Sequence, residues 1–206
     1  MVNVTEDEFA GRQDTGLFSI GHSNHRFEEL VRLLGEHRVQ AVADVRTSPY
    51  SRYNPQFNSR DLRYGLEGTG IRYVFLGKEL GGRPEGARFY DTDGHVHYGR
   101  VAETQWFQTG LDRLCDGARR FRTAILCSEE DPAECHRFLL ITRALDDRGV
   151  EVTHIRGDGA VQGTKEISAF DAEHKVVSLF GEDVRSSWRS TRSVLPKGRL
   201  KTSSNR

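Results

Sequence analysis

The chain has 206 residues, 36% of them hydrophobic and 29% charged, with a formal net charge of +0, which fits one globular domain, or one domain and a tail. Three cysteines are an odd number without framework spacing, which excludes a disulfide scaffold and indicates reduced thiols. No apolar stretch approaches the roughly 20 residues of a membrane span, and the acidic start does not resemble a signal peptide, so we expect a cytoplasmic protein without a membrane partner.

The charge is unevenly distributed along the chain. Residues 185–206 contain seven basic residues and no acidic residue, so the preceding part is acidic. Such a basic stretch with few apolar groups is typical of a disordered end. We therefore predict an N-terminal extension over 1–16, one domain over 17–184 and a disordered tail over 185–206.

Apolar runs rich in β-branched residues predict five strands. Their character is nearly continuous rather than alternating, as in strands of a parallel sheet that are buried on both faces. The runs lie at 17–23, 39–47, 71–77, 122–130 and 150–158.

Helical periodicity lies between these runs. It is clearest in 27–37, where Phe27, Leu30 and Leu34 recur at helical spacing, and in 138–145; it is looser in 106–114. Strands that alternate with helices predict an α/β fold: a single-domain, Rossmann-like sandwich with a mainly parallel central sheet flanked by helices. Residues 48–60 are predicted to form a loop, and 81–100 an excursion with a turn at Asp93-Gly94.

Polar and reactive residues follow the predicted strands where each one ends. His22 and Ser23 follow the first run, Asp44 and Arg46 close the second, and Cys127 ends the fourth. Ligands of open α/β sheets bind outside the carboxyl ends of the strands. If the runs are parallel neighbours, these groups meet at one edge of the sheet.

The stretch "ILCSEEDPAECHRFLL" at 125–140 contains two of the three cysteines. Asp131 is a good N-cap, Pro132 suits the first helical position, and Glu134 completes a capping box, so we predict a helix from Asp131 with Cys135 in its second turn. Cys127 then precedes a positive helix end, which favours a thiolate. A buried structural thiol is an equally good interpretation of Cys127, and Cys135 fits the apolar stripe of the helix.

Four motifs in order resemble the bacterial and archaeal domain-of-unknown-function family numbered 488. They are "SIGHSN" (19–24), "DVRTSPYSRYNPQFN" (44–58), "GIRYVFLGKELGGRP" (70–84) and "LCSEEDPAECHR" (126–137), within a match over about 17–158. The resemblance implies an α/β domain with a polar cluster but no agreed activity. The matching residues are His22, Ser23, Asp44, Arg46, Ser51, Phe57, Leu80, Gly81, Gly82, Cys127, Glu129, Cys135, His136 and Arg137. Arg26 departs from the pattern, because relatives often have a capping Ser or Thr there.

The leading functional hypothesis is an enzyme that binds a phosphorylated or nucleotide-like small molecule at the strand ends. Arginine forks suit phosphate, and histidines exchange protons near neutral pH. The chemistry is that of a hydrolase or transferase, either with Cys127 as nucleophile or with Asp44 or Glu129 as general base. The candidate catalytic residues are Cys127, His22, Asp44 and Glu129; those for substrate or anion binding are Ser23, Arg46, Ser51, Arg52, Lys78, His136 and Arg137. The sequence identifies no cofactor.

Two alternatives belong to other classes. The stretch at 48–64 interleaves tyrosines with arginines, as single-strand binders do, and the tail adds positive charge, so a nucleic-acid-associated module without catalysis is one of them. The other is a metal site built from Cys127, Cys135 and His136, with or without His22. No residue is assigned to a metal, because neighbours on a helix such as Cys135 and His136 point about 100° apart.

Overall fold

Five parallel strands and one antiparallel strand form a single sheet in the computed structural model, which describes residues 16–167 and 188–194. The strand order is β3-β2-β4-β1-β5-β6, and only the β5–β6 pair is antiparallel. The strands are β1 (Leu17–Gly21), β2 (Ala41–Asp44), β3 (Arg72–Phe75), β4 (Thr123–Cys127), β5 (Thr153–Ile155) and β6 (Val161–Gly163).

Helices connect these strands. They are α1 (Phe27–Glu36), α2 (Ser59–Gly68), α3 (Gly77–Leu80), α4 (Tyr98–Ala102), α5 (Gln105–Ala118) and α6 (Arg143–Asp146). Short 3₁₀ turns lie at Pro55–Phe57, Ala87–Phe89 and Pro132–Glu134, and a π-helix over Arg137–Thr142 runs directly into α6. The predicted α/β fold is confirmed. Among the described residues, no helix has the length and apolar character needed to cross a membrane.

The sheet separates two apolar cores. On one face, α1 and α2 cover the sheet with Leu30, Leu34 and Leu62. On the other face, α5 and the π-helix contribute Leu111 and Phe138. Because β1, β2 and β4 are central, all their residues are buried, as their continuous apolar sequences predict.

The five apolar runs each contain a strand, and the helix in 27–37 is α1. Arg26 makes no side-chain capping bond at the start of this helix, as its side chain predicts. Four helices and strands were not predicted: β6, the short helices α3 and α4, and α2, which begins inside the predicted loop at 48–60. The turn after Tyr90 is present, with Gly94 at φ 84° and an antiparallel bridge between Tyr90 and Val96.

The predicted helix from Asp131 is only partly correct. The Asp131 carboxylate accepts a hydrogen bond from the Ala133 amide at 3.0 Å, as an N-cap does. The chain makes one 3₁₀ turn, however, and Cys135 is then extended, with φ −117° and ψ 143°. The placement of Cys135 in a second helical turn is therefore wrong, and helical structure resumes only after it.

Residues 188–194, within the predicted tail, lie against the domain. We call them the C-terminal strap. The Ser190 amide donates to the Val96 carbonyl at 3.0 Å, and Trp188 Nε1 donates to the Leu139 carbonyl. The rest of the predicted tail, and residues 1–15 of the extension predicted over 1–16, lie outside the described residues.

Candidate functional site

The carboxyl ends of β2, β4 and β1 are neighbours in the sheet. Asp44 pairs in register with Leu126, and Gly21 with Cys127. His22 continues the chain after β1, and its amide donates to the Cys127 carbonyl at 2.9 Å. The prediction that these strand ends meet at one edge of the sheet is therefore confirmed.

Four side chains at and after the end of β4 form what we call the thiol cluster: Cys127, Glu129, Cys135 and His136. Glu129 Oε2 lies 3.0 Å from the Cys127 sulfur and 3.1 Å from the Cys135 sulfur, so one carboxylate oxygen accepts a hydrogen bond from each thiol. His136 Nδ1 lies 3.5 Å from the first sulfur and 3.9 Å from the second. The extended backbone at Cys135 turns both Cys135 and His136 toward Cys127, which a helix would not do.

The imidazole of His136 is held by the backbone of the sheet. Its Nε2 lies 3.1 Å from the Val45 carbonyl oxygen, which can only accept, so Nε2 carries the proton. Nδ1 consequently faces the two sulfurs. Gly82 lies on this ring, since a Cβ at that position would stand 2.6 Å from His136 Cγ.

Arg137 lies behind the thiol cluster with a side chain that is 0% exposed. Its guanidinium donates to the carbonyls of Glu129 and Glu130 and, at 3.3 Å, to Ser19 Oγ. Its backbone amide lies 3.4 Å from the Cys135 sulfur. Within the described residues this buried cation has no ion-paired carboxylate, so it favours negative charge on the adjacent cluster.

The shared contacts set the protonation of the cluster. Burial raises the pKa of the Cys127 thiol well above its ordinary value. Burial acts the same way on Cys135, but the hydrogen bond from Cys127 and the charge of Arg137 outweigh it and lower the pKa of Cys135. Despite desolvation, the two thiol hydrogen bonds lower the pKa of Glu129 to about 2. Desolvation is likewise overcome at His136, whose pKa is raised by Cys135 and Glu129.

A second polar group lies at the same sheet end, and we call it the Asp44–Arg46 network. Arg46 donates through Nε to Asp44 Oδ1 at 2.9 Å and through Nη2 to Oδ2 at 2.6 Å. The remaining donors reach the Phe57 carbonyl at 2.9 Å and His22 Nε2 at 3.0 Å. Tyr73 also donates its hydroxyl to Asp44 at 2.8 Å. Both carboxylate oxygens and four of the five guanidinium N–H groups are therefore engaged within the protein.

His22 is fixed as a neutral imidazole in this network. Its Nδ1 lies 2.8 Å from the Ser23 carbonyl, so Nδ1 donates and Nε2 accepts from Arg46. Burial and the charge of Arg46 lower the pKa of His22 to about 4. The ring also stacks on Phe57 at 4.3 Å.

The two polar groups lie on opposite faces of the sheet. Cys127 belongs to the core beneath α5 and the π-helix, whereas Phe57 and Tyr73 belong to the core beneath α1 and α2. The thiol cluster is thus the reactive part of this sheet end, and the Asp44–Arg46 network fixes the loops that follow β1 and β2.

The thiol cluster forms the floor of an open cleft of about 540 Å³. One wall comes from the loop after β2 and the loop after α3, with Ser48 and Arg83. The other wall is the C-terminal strap, whose Arg192 pairs with Glu134. Arg83 makes no side-chain ion pair with the described part of the chain, so its guanidinium is available to a ligand.

Of the predicted site residues, Cys127, Glu129 and His136 meet in the cleft and Arg46 reaches its edge. The seven others lie outside its lining: His22, Ser23, Asp44, Ser51, Arg52, Lys78 and Arg137. Ser51 Oγ accepts from the Asn54 amide within its own loop, and Ser23 donates to Asn24. Arg52 is exposed, and Lys78 faces a neighbouring pocket beside Trp106.

The cleft also contains residues that were not among the predicted site residues, and three of these carry a thiol or a guanidinium group: Cys135, Arg83 and Arg192. Cys135 was assigned to the apolar face of a helix, and the structure interrupts that helix at this residue. The signal that could have identified it is the Glu129 carboxylate, which lies between Cys127 and Cys135 in the sequence. Arg83 stands in the "GGRP" motif of the resemblance, next to Gly82. Arg192 lies in the basic tail, where composition carries no indication of a packed strap.

The fold and the cluster define a class: a parallel α/β domain with a thiol, imidazole and carboxylate group at the carboxyl ends of its central strands. The family model described as "Domain of unknown function DUF488" matches residues 26–144, and the chain belongs to this family. The match includes the whole thiol cluster and, of the Asp44–Arg46 network, every residue except His22, which precedes the matched range. No curated protein and no solved structure matches the chain.

Proposed function

We propose that the protein is an enzyme that binds a phosphorylated or nucleotide-like small molecule in the cleft and transforms it at the thiol cluster, by hydrolysis or group transfer. The observation that carries the proposal is the position of the cluster, at the floor of an open cleft whose wall holds Arg83, an arginine without an ion pair among the described residues. A volume of about 540 Å³ suits a small ligand, since such sites span roughly 300–1,000 Å³.

The cleft offers the contacts that a phosphate group needs. Arg83 supplies a planar donor fork, and Ser48 and Ser128, which carry hydroxyls, line the same space. With a phosphate bound to Arg83, the reacting bond of the ligand would lie next to the thiol cluster, which contains Cys127, Glu129 and His136. Asp44, Arg46 and His22 act in this proposal as positioning residues, because their polar atoms are bonded to one another.

Binding of inorganic phosphate and of a nucleoside monophosphate, followed by isothermal titration calorimetry, tests the proposal. Arg83→Ala is expected to weaken binding by about tenfold or more, since a charge-assisted hydrogen bond contributes roughly 1.5–3 kcal/mol. Arg38→Gln is the control, because it removes an exposed cation before β2, at the opposite end of the sheet. Equal affinity of wild type and Arg83→Ala would contradict the proposal.

A second candidate function is supported by exposed aromatic residues. Tyr50, Tyr53 and Tyr64 are 71%, 89% and 84% exposed, and exposed Arg52 and Arg60 lie among them in sequence. Tyrosines interspersed with arginines suit stacking on single-stranded nucleic acid. Binding to an RNA or DNA strand is proposed here as an additional or alternative role of this face.

Fluorescence polarisation of a labelled single-stranded oligonucleotide at low and high salt separates this role from the first. Tyr53→Ala and Tyr64→Ala are each expected to weaken binding by about tenfold, because stacking contributes roughly 1–3 kcal/mol per base. Arg38→Gln removes an exposed charge before β2, at the opposite end of the sheet, and serves as control. An affinity that depends on salt but not on the tyrosines would point to a non-specific charge effect.

A further inference from the structure

We propose that the thiol cluster is a zinc site, in which Cys127, Cys135 and His136 hold the ion and Glu129 closes the fourth position on the side of the cleft. A role of this ion in catalysis rests on the proposed function, whereas the ion itself is inferred from the geometry of the cluster. The proposal revises the expectation that no residue binds a metal.

The donor atoms have the spacing that one ion requires. In a tetrahedral zinc site with bonds of about 2.3 Å to sulfur and about 2.0–2.1 Å to nitrogen or oxygen, neighbouring donor atoms lie roughly 3.5 Å apart. The two distances from His136 Nδ1 to sulfur are 3.5 and 3.9 Å. The two sulfurs and this nitrogen all lie within 4.8 Å of one another, and Glu129 Oε2 lies 3.0 and 3.1 Å from the sulfurs. The two sulfurs and the imidazole nitrogen thus form one face of a tetrahedron, and a movement of the Glu129 side chain would bring its carboxylate to the fourth position.

The histidine is oriented as a ligand. Metal-binding histidines usually donate their other ring N–H to a carbonyl or carboxylate, which fixes the tautomer and the ring plane. His136 donates Nε2–H to the Val45 carbonyl at 3.1 Å and presents Nδ1 to the sulfurs. Since Val45 directly follows β2, the rigid sheet determines this orientation.

The charge around the cluster agrees with bound thiolates. Thiols bind zinc as thiolates and release their protons to solvent. Two thiolates and the Glu129 carboxylate would leave the liganded site with a net negative charge. Arg137, buried behind the cluster without a described carboxylate partner, supplies the compensating positive charge. Two sulfurs, one imidazole and one carboxylate also form the tetrahedral donor set that favours zinc over the hard ions Mg²⁺ and Ca²⁺.

The fourth position faces the cleft, unlike that of a closed structural site. Cys127 and Cys135 are buried, whereas Glu129 is exposed overall and lines the cleft. Catalytic zinc sites keep a position that water or substrate can take, and there the ion polarises a phosphoryl oxygen or activates water. If the Glu129 carboxylate leaves this position, an oxygen of a phosphate held by Arg83 could bind the ion in its place.

Metal content and cobalt spectroscopy test the site directly. Protein purified without chelator is expected to contain about one zinc ion per chain. After chelation and addition of Co²⁺, it should show a thiolate-to-cobalt charge-transfer band and the intense visible bands of tetrahedral cobalt. Cys127→Ser, Cys135→Ser and His136→Ala should lose this spectrum. Glu129→Gln should keep the charge-transfer band with changed visible bands, because both sulfurs and the imidazole, which form the core of the site, remain.

Cys115→Ser is the matched control, since Cys115 lies half-buried on α5 outside the cluster; it must keep metal and spectrum. Circular dichroism identifies any variant that fails to fold. The cobalt spectrum of the wild type tests the zinc site even if every variant fails to fold. A wild type that binds neither zinc nor cobalt at micromolar concentration overturns the zinc site, even if phosphate still binds through Arg83. Zinc binding without any phosphate binding would instead retain the zinc site and remove the proposed function.

Discussion

Gly82 lies directly against the imidazole of His136: a Cβ on Gly82 would stand 2.6 Å from Cγ and 2.9 Å from Nδ1 of that ring. The loop after α3 therefore determines where the histidine of the thiol cluster can be. Gly82→Ala should displace the ring or the loop and lower the free energy of unfolding by about 1–3 kcal/mol, as overpacking does. Denaturant unfolding measures the difference.

The same variant should weaken cobalt binding, because His136 no longer presents Nδ1 to the sulfurs. Gly35→Ala is the control: the space around Gly35 in α1 is open, so alanine should leave stability unchanged or raise it by about 0.5–1 kcal/mol. If both variants were equally stable and bound cobalt equally well, the loop would not position the ring.

The buried pair of Asp44 and Arg46 should matter far more to stability than exposed pairs. Asp44→Asn keeps the shape but leaves the Arg46 guanidinium without its buried counter-charge, which typically costs about 3–5 kcal/mol. Glu36→Gln, which removes one exposed partner of Arg32, should cost less than about 1 kcal/mol. Chemical denaturation of the three proteins gives the comparison, and similar losses in both variants would contradict the assigned positioning role.

The sequence was sufficient for the sheet and for the place of the site. The central strands are buried on both faces, so their apolar runs are continuous, and parallel neighbours bring His22, Asp44 and Cys127 to one edge. β6 was not predicted because three residues at an edge, exposed or half-buried, have no burial pattern. α2 was missed because its first residues follow the prolines of the preceding loop.

The thiol cluster could be predicted only in part, for a physical reason. Asp131 and Pro132 predict a helix start, and the Cys135, Leu139 and Thr142 spacing fits its continuation, so the sequence favours one regular helix. The structure breaks it at Cys135 and begins a π-helix at Arg137. π-helical turns are rare in proteins, and those that do occur are often found at functional sites. Local propensity does not encode this break, because it depends on contacts of Arg137 with Ser19 and the Glu129 carbonyl.

The C-terminal strap should shield the thiols. Trp188 and Ser190 attach it to the domain, and it forms one wall of the cleft above Cys127 and Cys135. Truncation after residue 187 should therefore increase the rate at which iodoacetamide modifies both thiols of metal-free protein. Peptide mass spectrometry resolves the sites, and Cys115 is an internal control with an unchanged rate. Unaltered rates at Cys127 and Cys135 would show that the strap does not limit access.

The last prediction concerns a buried histidine on β5. His154 is 0% exposed, and its Nδ1 lies 2.6 Å from Ser19 Oγ. Since the Ser19 oxygen accepts from Arg137, its hydroxyl hydrogen is donated to His154 Nδ1. The ring proton of the neutral His154 is therefore on Nε2, which has no hydrogen-bond partner among the described residues. Burial, followed by the charges of Arg137 and Arg156, lowers the pKa of His154 to about 3.

His154 should consequently make folding sensitive to acid. The unfolded chain binds a proton at this residue below a pKa of about 6.5 and the folded protein does not, so stability is complete above that pH and is lost as the pH falls toward 3. Between pH 7 and pH 5 the wild type should lose about 2 kcal/mol more than His154→Asn, whose amide oxygen can still accept from Ser19. All other titrating groups are common to both proteins, so the difference isolates this imidazole. Parallel losses in urea titrations at the two pH values would mean that His154 takes up a proton in the folded state.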